Sequence, residues 1–154
     1  MVGVDQDAVS RIDDALNTLV RRTQGPRAQE QLSARAGLSL ERAAYPLLRR
    51  IGEGETVRAS DVAAALSVDV STVSRQVKEL ELDGLVARRP DPTDGRASIL
   101  VLTAAGHQAL ERLRRARREV LAEVVATWPE EDRSTLADLI CRLADDMVAH
   151  QGHG

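Results

Sequence analysis

The stretch from Val70 to Thr103, VSTVSRQVKELELDGLVARRPDPTDGRASILVLT, narrows the possible folds more than any other part of the chain. Apolar residues recur at helical spacing through Val70, Val73, Val77 and Leu80, and Gly84 then stops the helix. The segments LVARRP and ASILVL follow as β-type stretches, joined by DPTDG, whose Asp94-Gly95 pair reads as a turn. A one-sided helix followed at once by a short hairpin must pack both elements on one small core. On a wheel of about 100° per residue, Arg75 lies almost opposite the apolar side, flanked by Ser71, Thr72 and Lys78.

Upstream, Asp61 to Leu66 reads as a short Ala-rich helix with Ser60 as the nearest cap, and SVDV is a tight turn with Asp69 capping the next helix. Val57 and Arg58 supply one edge of a small sheet. Before them, Val4 to Val20 carries a helical stripe with Asp5 or Asp7 at its start, and Gly25-Pro26 interrupts it. A short helix around Gln29–Ala36 ends at Gly37. The next is capped by Ser39, puts Ala44, Leu47, Leu48 and Ile51 on one face, and is expected to kink at Pro46. Downstream, Thr103 caps a long helix reaching about Thr127. Pro129 and the acidic EED open a last helix striped by Leu136, Leu139, Ile140, Leu143 and Met147, ahead of a frayed AHQGHG tail. The fold class expected is mainly α with a small β-wing.

Composition agrees with a helical, aliphatic core. Of 154 residues 43 % are hydrophobic and 29 % charged, with no Phe, one Trp (Trp128) and one Tyr (Tyr45). Such a length suits one domain. The lone Cys141 excludes an internal disulfide, no apolar run is long enough for a membrane span, and no secretory signal is evident, so the expected location is cytoplasmic.

A short helix, a four-residue turn and a helix with a guanidinium outward have the layout of a helix-turn-helix. The second helix of such a unit enters the major groove, where an arginine can bond both acceptors of a guanine edge. Ser71, Thr72 and Ser74 near its start can donate to phosphates. The hairpin carries Arg88, Arg89 and Arg96 near a constrained turn, as a wing does, and a tip arginine can enter a narrow minor groove. Asp94 is expected to hold the Arg96 guanidinium in a bidentate pair. The net charge of −3 gives no whole-chain sign of nucleic acid, and from Arg58 to Leu100 six basic residues stand against seven acidic ones. Affinity must then come from a few placed cations, used twice in a dimer.

The run ASDVAAALSVDVSTVSRQVKELELDGLVARRPDPTDGRASILVLTAAGHQAL resembles the core of the multiple-antibiotic-resistance regulator (MarR) family of bacterial winged-helix proteins. The matching pieces are STVSR at the start of the reading helix, L-x-x-x-GLV leading into the wing, the DPTDGR tip and LT-x-x-G opening the long helix. LSLERAAYPLLRRI is similar to the helix that precedes the winged unit. The resemblance implies a homodimer built by interlacing terminal helices, with residues 38–102 as the winged DNA-binding region and residues 4–22 and 103–150 as dimerisation helices of one domain, 1–154. It implies transcription regulation, usually repression, through an inverted-repeat operator in double-stranded DNA, and release by a small-molecule effector. By family position Arg75 faces bases, Ser71, Thr72, Ser74 and Lys78 seat the helix, and Asp94 with Arg96 forms the wing clamp. Gly95 stands where the family often has arginine, and pocket-lining aromatics are nearly absent.

Three other features of the chain bear on function. Cys141 lies beside the apolar stripe of the last helix and is expected to be a buried structural thiol. His107, His150 and His153 have no partners at metal-ligand spacing, and no metal or cofactor is expected. The arginine-rich ERLRRARRE, Glu111 to Glu119, reads as a solvated helix face. No phosphate loop or nucleophilic set marks an enzyme. The alternative to a DNA-binding regulator is a winged-helix protein-interaction adaptor.

Overall fold

A computed structural model describes residues 5–40, 44–54 and 56–151. Among them are seven helices and one two-stranded antiparallel sheet, the mainly helical architecture with a small wing that the sequence predicts. The chain divides into two units, residues 1–116 and 117–154.

In the first unit, α1 (Gln6–Gln24) starts on Asp5, whose carboxylate accepts the Asp7 N–H at 3.0 Å. It runs four residues past Val20, and Val4 lies outside the described residues. The break at Gly25 is one residue long, because Pro26 already occupies the first position of α2 (Pro26–Arg35). A proline fits there, having no N–H to leave unpaired. The described part of α3 (Ala44–Gly52) opens at Ala44, which puts Pro46 in its first described turn; residues 41–43, between it and the expected Ser39 cap, lie outside the described residues.

Next, α4 (Ala59–Leu66) begins not on Ser60 but on Arg58, whose N–H donates to the Asp61 carboxylate at 2.8 Å. A turn follows with Ser67 in the left-handed region at φ 54, and α5 (Val70–Leu82) comes next. Asp69 occupies the cap position of α5, yet its side chain makes no capping hydrogen bond.

The end of α5 explains the GLV motif. Gly84, at φ 71, lets its own N–H reach the Glu81 carbonyl at 3.0 Å and the Leu85 N–H reach the Leu80 carbonyl at 2.9 Å. That reversal starts β1 (Val86–Pro90), which pairs with β2 (Ser98–Leu102) in the register Val86↔Leu102 to Pro90↔Ser98. The expected third edge shrinks to one bridge, in which the Leu100 N–H donates to the Val57 carbonyl at 2.7 Å.

Thr103 does cap α6 (Ala104–Val124), accepting the Gly106 N–H at 3.0 Å while donating to the Gly84 carbonyl at 2.6 Å. One threonine therefore fastens the long helix to the root of the wing. Gly106 is needed there because a Cβ would press into the Leu85 backbone carbonyl. Gly106→Ala should cost about 1–3 kcal/mol of stability, read as a lower melting temperature; an unchanged melt would show that the strand and helix can part freely.

The core is aliphatic. Leu47, Leu48, Val62, Val73, Val77 and Leu113 are fully buried, with Val57 and Leu100 close behind, and Tyr45 is the one aromatic among them. Burying each such side chain contributes about 1.5–3 kcal/mol. Val70, expected on this apolar side, is instead 49 % exposed, at the very first position of α5.

In the second unit, α7 (Glu130–Gln151) continues through Ala149 and His150 rather than fraying there. Leu139, Ile140, Met147 and Val148 are exposed along it. Cys141 is exposed too, contrary to the expected burial, because within one chain its neighbours on this stripe are themselves uncovered.

Candidate nucleic-acid interface

The site is built outward from the buried side of α5. Val73, Val77 and Leu80 anchor the helix in the core, at 0 %, 0 % and 4 % exposure. With that side fixed, the helical period turns Ser71, Arg75 and Lys78 to the surface and leaves Thr72 and Ser74 half-buried beside them. The residues expected on the reading face thus share one side of one helix. Because Asp69 offers no capping oxygen, the first-turn amides also lack a side-chain acceptor, which suits a phosphate oxygen.

The wing arginines divide into two groups. Arg89 and Arg96 are exposed. Arg88 turns back toward α5, its Nε 3.3 Å from the Glu81 carboxylate, and so ties the middle of β1 to that helix.

The tip departs most from expectation. Asp94 does not clamp the Arg96 guanidinium; its Oδ1 accepts the Arg96 backbone N–H at 3.1 Å. The reason is local, since an aspartate reaches the amide two residues on more easily than the end of a long side chain. The Asp94 carbonyl also accepts the Ala97 N–H at 2.9 Å, closing the turn around Gly95 and Arg96.

The wing's firm ion pair joins residues sequence reasoning did not single out. Arg58, at the start of α4, donates from Nε to Asp91 Oδ2 at 2.8 Å and donates again from Nη2 to the same oxygen. The Asp91 side chain is fully buried, while 39 % of the Arg58 side chain remains exposed. The other oxygen, Oδ1, accepts the Thr93 N–H at 2.8 Å, the Thr93 hydroxyl at 2.7 Å and the Asp94 N–H at 3.3 Å. Hydrogen bonds from Thr93, with those from Arg58, hold the Asp91 carboxyl well below the usual carboxylate range. Asp-Pro-Thr was a readable turn signature; its partner 33 residues upstream was not.

Among the described residues no group of three or more His, Cys, Asp or Glu could hold a metal ion, and no helix is long and apolar enough to cross a membrane.

A two-helix unit with a turn and an attached two-stranded wing, one arginine-bearing face outward, is a winged helix-turn-helix. A model of the MarR family matches residues 37–97. An uncharacterized HTH-type transcriptional regulator of Bacillus subtilis, YxaD, is 32 % identical over 90 % of this chain and 94 % of its own length. An HTH-type transcriptional regulator of Mycobacterium tuberculosis is 32 % identical over 90 % of this chain and 89 % of its own. In structure, a MarR family protein from Bacillus stearothermophilus aligns at a TM-score of 0.78 and 16 % identity, covering 95 % of this chain and 99 % of that one. Wild-type MarR from E. coli, in its apo form, aligns at 0.71 and 21 % identity over 84 % and 95 %. These two likenesses speak to the fold. The chain belongs to the MarR family of helix-turn-helix transcriptional regulators.

Proposed function

We propose that the protein is a homodimeric, sequence-specific DNA-binding regulator, acting as a repressor in the cytoplasm on an inverted-repeat operator. The observation that carries this reading is the one-sidedness of α5, with Val73, Val77 and Leu80 buried and Ser71, Arg75 and Lys78 outward. In this reading residues 38–102 read DNA. Arg75 addresses a base edge in the major groove, Ser71, Thr72, Ser74 and Lys78 hold phosphates, and Arg89 and Arg96 approach the minor groove from the wing. Arg88 and Asp94 support the wing from within, through Glu81 and the Arg96 amide.

The helices of residues 4–22 and 103–150 serve dimerisation. On α1, Val9, Ile12, Leu19 and Val20 are between 43 % and 54 % exposed in the single chain, and on α7 Leu139, Ile140, Met147 and Val148 between 49 % and 72 %. Apolar stripes of this length call for a covering surface, and a second copy supplies it on both helices. Effector release is supported by a cavity of about 520 Å³ that reaches Ser67 and Val68 of the turn and Gln76 of the reading helix. A small molecule seated there would bear on the angle between α4 and α5. Its lining joins apolar side chains, among them Pro46, Leu47, Leu66 and Val68, to the amides of Gln24 and Gln76, and among the described residues no aromatic ring lines it.

Selection of bound duplexes from a random pool tests this function. Enrichment of two inverted half-sites about one helical turn apart is the expected result; no enrichment, or a single asymmetric site, would contradict it.

A further inference from the structure

The wing and the reading helix are separate elements, and each alone is a weak anchor for a cation that must point at DNA. The hairpin has two strands and a loop from Asp91 to Ala97 closed by the Asp91 N–H donating to the Ala97 carbonyl at 3.0 Å. An isolated hairpin of this size is marginal in water. Its strands are held by Arg88 on Glu81, midway along β1, and by Thr103 on Gly84 at the root, both further from the loop than Asp91. The hold nearest the tip is Arg58, which is not part of the wing at all.

We infer that Arg58 is a positioning residue for DNA binding: through Asp91 it fixes the wing tip to the first helix of the helix-turn-helix, so that Arg96 is presented in register with Arg75. This inference rests on the proposed DNA-binding function and goes one step past it. Four observations carry it. Asp91 is the buried centre of the loop, gathering Thr93 and Asp94 on one oxygen and Arg58 on the other. Asp94, whose Oδ2 lies 3.9 Å from Arg58 Nη2, holds the Arg96 amide with its other oxygen. A short path of polar contacts thus runs from Arg58 to the backbone of Arg96. Arg58 itself occupies the cap position of α4, where its N–H is held by Asp61. Last, the Val57 carbonyl binds β2 through Leu100, so the segment bearing Arg58 is fastened to the sheet as well as to the helix.

A competing role for Arg58 is direct contact with a phosphate, since its side chain is 39 % exposed. The two roles differ in sign and in coupling. If Arg58 acts through the wing, Asp91→Asn should weaken DNA binding by about tenfold, although removing a negative charge near a polyanion would by itself strengthen it. Arg58→Gln and Arg96→Ala should each weaken binding about tenfold, and the double variant hardly more than either, because both remove one contact. Arg58→Lys should recover part of the loss, since an ammonium can still reach Asp91.

The experiment is this double-variant cycle, read as affinity of the full-length protein for its selected duplex, with melting temperature recorded for each variant. Non-additive losses in Arg58→Gln and Arg96→Ala, together with weaker binding by Asp91→Asn, are the expected result. Multiplicative losses, or tighter binding by Asp91→Asn, would overturn the inference and make Arg58 a direct contact. Should Asp91→Asn fail to fold, the Arg58 and Arg96 cycle decides alone. Failure of the wild-type protein to bind any duplex would overturn the proposed function instead, and is distinguished by that control.

Discussion

Arg75→Ala is expected to lower affinity for the selected duplex by about 1–3 kcal/mol per half-site and to erase the preference for one base pair in each half. The expectation follows from position. Arg75 sits about one turn into α5, on the side opposite the buried Val73 and Val77, with its side chain exposed. A guanidinium there can bond both acceptors of a guanine, and no other base pair presents that pattern in the major groove. Lys78, one turn further on, offers only a point charge, so Lys78→Ala should weaken all duplexes about equally. Anisotropy titrations against a panel of single-base variants separate the two. Unchanged base preference in Arg75→Ala would mean that another face of α5 reads the sequence.

A second large effect is expected from Leu139→Asp in α7. Leu139 is 56 % exposed in the single chain, so the substitution leaves the winged unit's own core untouched. In a dimer that buries the stripe, it would place an unpaired carboxylate in an apolar interface, a cost of several kcal/mol. Analytical ultracentrifugation should then find monomer at micromolar concentration. Affinity for the inverted repeat should fall by about 10²-fold or more, because the second half-site no longer gains from being tethered to the first. A Leu139→Asp protein that remains a dimer would exclude this stripe from the interface.

Legibility in the sequence followed the range of the interactions. The reading helix and the hairpin were evident because periodicity and turn chemistry act within a few residues: Val73, Val77 and Leu80 share a side by spacing alone, and Gly84 stops the helix where a left-handed residue is needed. Thr103 was readable as a cap for the same reason. A helical wheel places Val70 with Val73 and Val77 because it treats a helix as equally covered along its length, whereas Val70, the first residue of α5, is 49 % exposed. Proximity in sequence suggests the Arg96 guanidinium as the partner of Asp94, but the nearer Arg96 backbone amide takes its carboxylate. Arg58 and Asp91 could not be paired from local pattern, since the contact exists only once the wing folds back across the start of α4. The exposure of Cys141 has a related cause: a residue beside an apolar stripe is buried only when something covers the stripe.

The central claim is that two copies of this chain grip one duplex through a small number of placed cations, despite a net charge of −3. Affinity for the selected duplex, measured from low to moderate salt with the stoichiometry of the complex, tests it most directly. Two chains per duplex and a straight fall of log affinity against log salt, with a slope of about −4 to −7, are predicted. A flat salt dependence, or one chain per duplex, would contradict it.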